Sequence, residues 1–334
     1  MSPSNQSGRG GNRAAFTTPA MLGGPLDTHP DVLTLRWLGT ANFEVTFGDS
    51  VILLDSFYDR GPRMRPLGFG PEDVVRAQQI FIGHPHFDHI SDAAQVASQT
   101  GATVVGHPIA ADVVIGQGLP SSQTLGLTGL GDGDFLEYPE FKVRVLHGYH
   151  LFSEQEPAPD PRPAVDALRV ARGEWESDEP PLTPEEEEWS ARVHAKGASN
   201  PRVLEEATMC LIFEFGDFKL VYRDSAGPIS REEAGYFSTV DGVDAAIVGF
   251  TGRPLMRRQL DERTMPMVEM YRPKVLMAAH HDDLFPVFMD MATEPLKMAV
   301  SHSLPGTTTV APVYLEPVRI HMPTGRVLQP GETP

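Results

Sequence analysis

"FIGHPHFDHI", residues 81–90, decides how this chain is read. Three of the 12 histidines and an aspartate fall within the six positions 84–89. They follow the apolar run "AQQIFIGH", which reads as a buried strand delivering a loop. At an extended strand end, residues two apart project the same way, so His84 and His86 can grip one ion from one side. Asp88 and His89 lie beyond, where the chain turns, and can reach a second position. Imidazole nitrogen and carboxylate oxygen suit Zn²⁺, Mn²⁺ or Fe. Such donors crowded after an apolar strand point to a metal site.

Upstream, "VLTLRWLG", "ANFEVTFG" and "SVILLD" are short β-prone runs separated by "GTAN" and "GDS", so an antiparallel meander is expected, ending at Asp55. Downstream, "SDAAQVASQTG" reads as a helix with Ser91 as N-cap and Gly101 as C-cap. A strand, a short helix and two further strands lead to "LHGYH". That stretch offers His147 and His150, three apart and therefore facing opposite ways in a strand. The strand end, where loops build sites, favours His150.

Residues 151–206 change character and become rich in Pro and Glu. They carry one helix start: Thr183 as cap, Pro184 at the first helical position and Glu186 three after the cap. Glutamates 185–188 read as its solvated first turn. With too few apolar residues for a core, the segment reads as an insertion, and its Trp175 and Trp189 suggest a cover over the site mouth. Regular structure resumes in a hairpin around Gly216-Asp217 whose second strand ends at Asp224. A helix over 231–240, the strand "DAAIVGF", a helix over 256–271, the strand "PKVLMAAHH", a helix over 293–302 and a closing strand pair follow.

The 334 residues carry a net charge of −18 and contain no run of Lys and Arg, which argues against nucleic acid as a partner. The lone cysteine, Cys210, reads as a buried strand residue. No apolar stretch approaches a membrane span. The first 30 residues are polar and lack both the apolar core of a signal peptide and an Arg pair, so a cytoplasmic protein is expected. His29, His107, His194, His302 and His321 read as structural or exposed.

"HPHFDH" matches the HxHxDH signature of the metallo-β-lactamase superfamily, which this chain resembles over roughly residues 32–290. "WLGTANFEV" looks like that family's early glycine-containing hairpin, and "VILLD" resembles the strand that ends in its structural aspartate, here Asp55. The closest likeness is to the lactonase-like and phospholipase-D-like branch. The resemblance implies an α+β fold, a four-layer αββα sandwich of two mixed sheets with helices on the outer faces. One domain is expected over 31–325, with an acidic Pro/Glu-rich insertion at about 151–206 that the resemblance does not explain, a flexible N-terminal arm at 1–30 and a C-terminal tail at 326–334.

The resemblance also implies a ligand set. His84, His86 and His150 would hold one metal, Asp88, His89 and His280 a second, and Asp224 would bridge them. "AAHHDD" offers His280 and His281, and the family pattern favours the residue that directly ends the apolar strand, His280. His281 is then a candidate substrate contact, with Asp282 and Asp283 as partners behind the ligands. Asp55 would orient the histidine loop by hydrogen bonds. Two divalent ions are expected, with zinc ahead of manganese or iron. Asp88 and Asp224 would be the acidic groups at the reacting centre. The implied activity is a hydrolase whose metal-bridging hydroxide cleaves an ester-type bond (a lactone, phosphodiester or amide) in a small molecule or lipid. Di-iron redox chemistry on the same fold is the alternative; there a glutamate often replaces the histidine found here at 86. A non-catalytic, metal-stabilised binding protein is the third.

Overall fold

A computed structural model of the chain describes residues 18–128, 135–151, 153, 182–198, 200, 203, 206–250, 260–282 and 293–334. The β-branched and aromatic runs form strands as their composition requires. The first sheet contains β1 (Val32–Trp37), β2 (Phe43–Phe47), β3 (Ser50–Leu54), β4 (Gln79–Phe81), β5 (Thr103–Gly106), β6 (Thr124–Gly126), β14 (Pro317–His321) and β15 (Arg326–Val327). Their order is β15-β14-β1-β2-β3-β4-β5-β6. The second contains β7 (Leu136–Glu137), β8 (Lys142–Gly148), β9 (Thr208–Phe215), β10 (Phe218–Arg223), β11 (Val243–Gly249), β12 (Pro273–Ala279) and β13 (Thr308–Val310). Their order is β13-β12-β11-β10-β9-β8-β7. Both sheets are mixed: β1-β2-β3 is the expected antiparallel meander, whereas β3-β4-β5-β6 run parallel.

Period-two alternation sorts side chains into three cores. In β3, Ile52 and Leu54 join Phe43, Phe81, Phe213, Tyr222, Ile247 and Met277 between the sheets. The opposite face, Val51 and Leu53, packs with Val96, Ala97 and Val114 from helices α2 (Ala93–Thr100) and α3 (Pro108–Gly116). Val221, Ala246 and Leu276 cover the other outer face, against α5 (Arg231–Phe237), α6 (Met265–Tyr271) and α7 (Glu294–Ser303). Each fully buried Leu, Ile or Phe contributes about 1.5–3 kcal/mol. Helices, sheet, sheet and helices are thus the four layers expected from the resemblance.

Several local expectations need correction. Ser91 does not cap α2. The signature itself forms a helical turn, α1 (Phe87–Ile90), and Ser91 closes that turn. Asp92 is the N-cap of α2, but its Oδ2 accepts from the Tyr58 and Asp59 N–H groups rather than from the helix. Gly101 is the left-handed C-cap as read. Short edge strands β6 and β13 carried too little pattern to be foreseen. The fold begins before residue 31, because Ala20 and Met21 are buried and the Met21 N–H donates to Glu44 Oε2 at 2.5 Å. It also runs past 325, because β15 pairs with β14. Helix α4 (Pro184–His194) starts with the expected capping box, but Glu186 is buried, pairing with Arg63. Of the helix read over 256–271, residues 260–264 form a π turn and α6 follows. Residues 256–259, Trp175, Asp283 and the body of the insertion lie outside the described residues. No helix among those described is long and apolar enough to cross a membrane.

Candidate metal centre

Strand direction assembles the site. β3 and β4 are parallel, so Asp55 and the loop after Phe81 leave the first sheet at the same edge. β8 and β10 are each antiparallel to β9 and therefore run the same way, as do β11 and β12. His150, Asp224 and His280 thus leave the second sheet from the C-terminal ends of β8, β10 and β12. All five segments meet at one edge of the sandwich.

Seven side chains converge there. His84, His86 and His150 form one group, Asp88, His89 and His280 another, and Asp224 groups with His84 and His89; within each group the candidate ligand atoms lie within 4.8 Å. His84 Nε2 is 3.1 Å from His86 Nδ1, and His89 Nε2 is 3.0 Å from His280 Nε2. Asp88 Oδ2 is 3.5 Å from His89 Nε2. His84 Nδ1 donates to Asp224 Oδ2 at 2.6 Å, which leaves its Nε2 lone pair turned towards His86. Asp224 fits because residue 83 is glycine: a Cβ there would stand 2.2 Å from Asp224 Oδ2.

The donor set fits divalent cations. Asp224 Oδ1 is buried without a hydrogen-bond partner, a costly arrangement that a cation would relieve. Burial, reinforced by neighbouring imidazoles, holds His84 and His150 well below the ordinary histidine value. Burial also pushes His86 down to about 4 against the pull of Asp88. All three rings are therefore neutral near pH 7, the form that binds metal. His89 moves the other way: burial opposes its charge, but the carboxylates of Asp88 and Asp55 lift it.

Asp55 stands where a loop-orienting residue is needed. Its Oδ2 accepts from His89 Nδ1 at 2.5 Å and also from the Tyr222 hydroxyl, while Oδ1 accepts from the Gly83 N–H at 2.9 Å. His150 lies in the cluster. His147 is half-buried on β8 and packs its ring against Tyr149. His280 likewise lies in the cluster, and His281 is stacked on Trp37 with ring centroids 3.9 Å apart. At 5 % exposure His281 is as buried as the candidate ligand His150 at 6 %. Asp282 Oδ1 accepts from the Thr40 N–H at 2.8 Å, and Oδ2 pairs with Arg60. His107 caps α3, and His194 packs against Phe87.

Sequence reading missed Tyr222, Arg223, Arg60 and Trp37. A visible signal existed for Arg223, a cation inside an apolar strand beside Asp224. Arg60 sits in a loop dense in Gly and Pro, and its partner is 222 positions away, so nothing local marked it.

The metallo-β-lactamase superfamily model matches residues 36–193. A UPF0173 metal-dependent hydrolase of Lawsonia intracellularis is 27% identical over 128 residues, which is 37% of this chain and 53% of that protein. The chain thus spans about half the length of the curated relatives it matches. Among solved structures, Igni18, a metallo hydrolase of Ignicoccus hospitalis, aligns with a TM-score of 0.56 at 15% identity, covering 86% of this chain and 98% of that one. CmlA, a diiron β-hydroxylase of Streptomyces venezuelae, aligns with a TM-score of 0.51 at 14% identity, covering 88% of this chain and 55% of that one. At these identities the likeness shows the fold alone. The relatives do not single out the lactonase-like branch. The chain is therefore similar to the metallo-β-lactamase superfamily over residues 36–193, signature included, and shares the fold of Igni18.

Proposed function

We propose that this chain is a metal-dependent hydrolase that holds two divalent cations and cleaves an ester-type bond in a small molecule or lipid. The supporting observation is the convergence of five histidines and two aspartates at one sheet edge, where Asp224 Oδ1 is buried and unpartnered. His84, His86 and His150 would hold one cation, Asp88, His89 and His280 the other, with Asp224 between them. When bound, such a pair supplies Lewis-acid polarisation and activates water for attack on a carbonyl or phosphorus centre.

The chain's own residues prepare that site. Asp55 accepts a hydrogen bond from His89 Nδ1, which turns Nε2 towards His280 and Asp88. Tyr222 donates to the same carboxylate and limits its movement. Oxygen and imidazole ligands without thiolate agree with zinc or manganese. A net charge of −18 disfavours polyanionic substrates such as RNA and leaves uncharged lactones, esters and single phosphodiesters as the better candidates.

Chelator-treated protein should be inactive on a panel of lactones, phosphodiesters and amides, and zinc or manganese should restore hydrolysis of one class. No metal-dependent hydrolysis across that panel would contradict the proposal. Two bound irons with oxygen-dependent turnover would establish the oxidative alternative instead.

A further inference from the structure

Two arginines that bear on the centre are buried, each tied to a carboxylate. Arg223 and Glu233 are fully buried and joined at 3.0 Å. The rest of the Arg223 fork is used on backbone: Nη2 donates to the Tyr149 carbonyl at 2.7 Å and Nη1 to the Ser225 carbonyl at 2.6 Å. The Tyr149 carbonyl lies in the peptide bond to His150, whereas the Ser225 carbonyl lies in the peptide bond to Ala226, beyond Asp224. Glu233 is itself fixed by the Ser230 N–H at 2.9 Å and the Tyr271 hydroxyl at 3.1 Å. Glycine at 148 makes room, since a Cβ there would stand 2.7 Å from the guanidinium carbon.

The second arginine reaches the opposite group. Arg60 pairs with Asp282, whose side chain is 1% exposed, and donates to Thr40 Oγ1 at 2.5 Å. Thr40 in turn gives its N–H to Asp282 at 2.8 Å and accepts the His280 N–H at 2.9 Å. Both Thr40 and His280 have positive φ, 51° and 64°, so this pairing holds a conformation that neither residue prefers alone. A buried cation and carboxylate are costly to desolvate, and retaining two such pairs behind one centre calls for a reason beyond stability.

We propose that the two pairs are separate positioning clamps, Arg223–Glu233 setting His150 and the cation position of His84, His86 and His150, and Arg60–Asp282 setting His280 and the position of Asp88, His89 and His280. The inference rests on the two-cation reading above. A planar fork can bind two carbonyls and a carboxylate at once, whereas the point charge of lysine cannot, so lysine is a poor substitute at either place.

The test uses two single-position backgrounds, His280→Ala to keep the first position and His150→Ala to keep the second. Zinc dissociation constants are read by chelator competition on folded protein, checked by circular dichroism. Arg223→Lys should weaken the first position about 10–100-fold and the second much less, because ligand orientation carries affinity of that order. Arg60→Lys should do the reverse. Gly148→Ala and the isosteric Asp282→Asn should reproduce the two patterns if either lysine variant fails to fold. Equal losses at both positions, or no loss at either, would overturn the proposal, since a purely structural role predicts no such split. If the unsubstituted protein takes up no zinc, the two-cation reading fails first and the clamps fall with it.

Discussion

Asp55 and His280 both end strands with positive φ, 58° and 64°, a conformation that costs a non-glycine residue of order 1–3 kcal/mol. Each is held by long-range hydrogen bonds, Asp55 by His89 and Tyr222, His280 by Thr40. The strain lies where side chains must turn from the sheet edge into the centre. Protonation at this scale gives a testable pH dependence. Below about 6.5 an unfolded chain protonates its histidines, whereas burial holds His86 near 4 and His84 and His150 well below their ordinary value. The unfolded state then binds more protons, so this contribution is present above pH 6.5 and lost as pH falls towards 4. Chelator-treated protein should therefore melt at progressively lower temperature across that window. His86→Gln should flatten the decline, and an identical decline in the variant would count against the assignment.

Helix α4 shows how an element of the insertion serves the centre. Its Trp189 packs with Phe57, Met64 and Val193, and the indole N–H donates to the Asp59 carbonyl at 2.9 Å. Just past the helix, the Ala198 N–H donates to the carbonyl of Pro85, inside the signature, at 2.7 Å. Trp189→Ala should lower stability by about 3–5 kcal/mol, the usual cost of emptying a buried Trp site, and should raise hydrogen exchange in residues 85–90. Unchanged exchange there would show that α4 does not brace the signature. The start of α4 was legible, because Thr183, Pro184 and Glu186 supply local capping chemistry. Its docking was not, since Asp59 and Arg63 lie 130 and 123 positions from their partners Trp189 and Glu186. Ser91 failed as a cap for a related reason: "FDHI" looks like a loop by composition, yet it folds as a helical turn.

Across the whole molecule, the ends of four strands, β4, β8, β10 and β12, bring donors from residues 84 to 280 to a single edge, where β3 delivers Asp55. The spacing within 84–89 was readable because strand and turn geometry act locally. His150, Asp224 and His280 were located through family resemblance, since no local rule says which strand ends meet. The buried arginines behind them have partners that only the folded sheets bring near. If the seven donors act as one dinuclear unit, Asp224 is the residue both positions share, and metal content is the direct readout. Elemental analysis of reconstituted protein beside Asp224→Ala should find about two equivalents of zinc or manganese in the unsubstituted chain and a fall towards about one in the variant. No stoichiometric metal in the unsubstituted chain, even after reconstitution, would contradict the account.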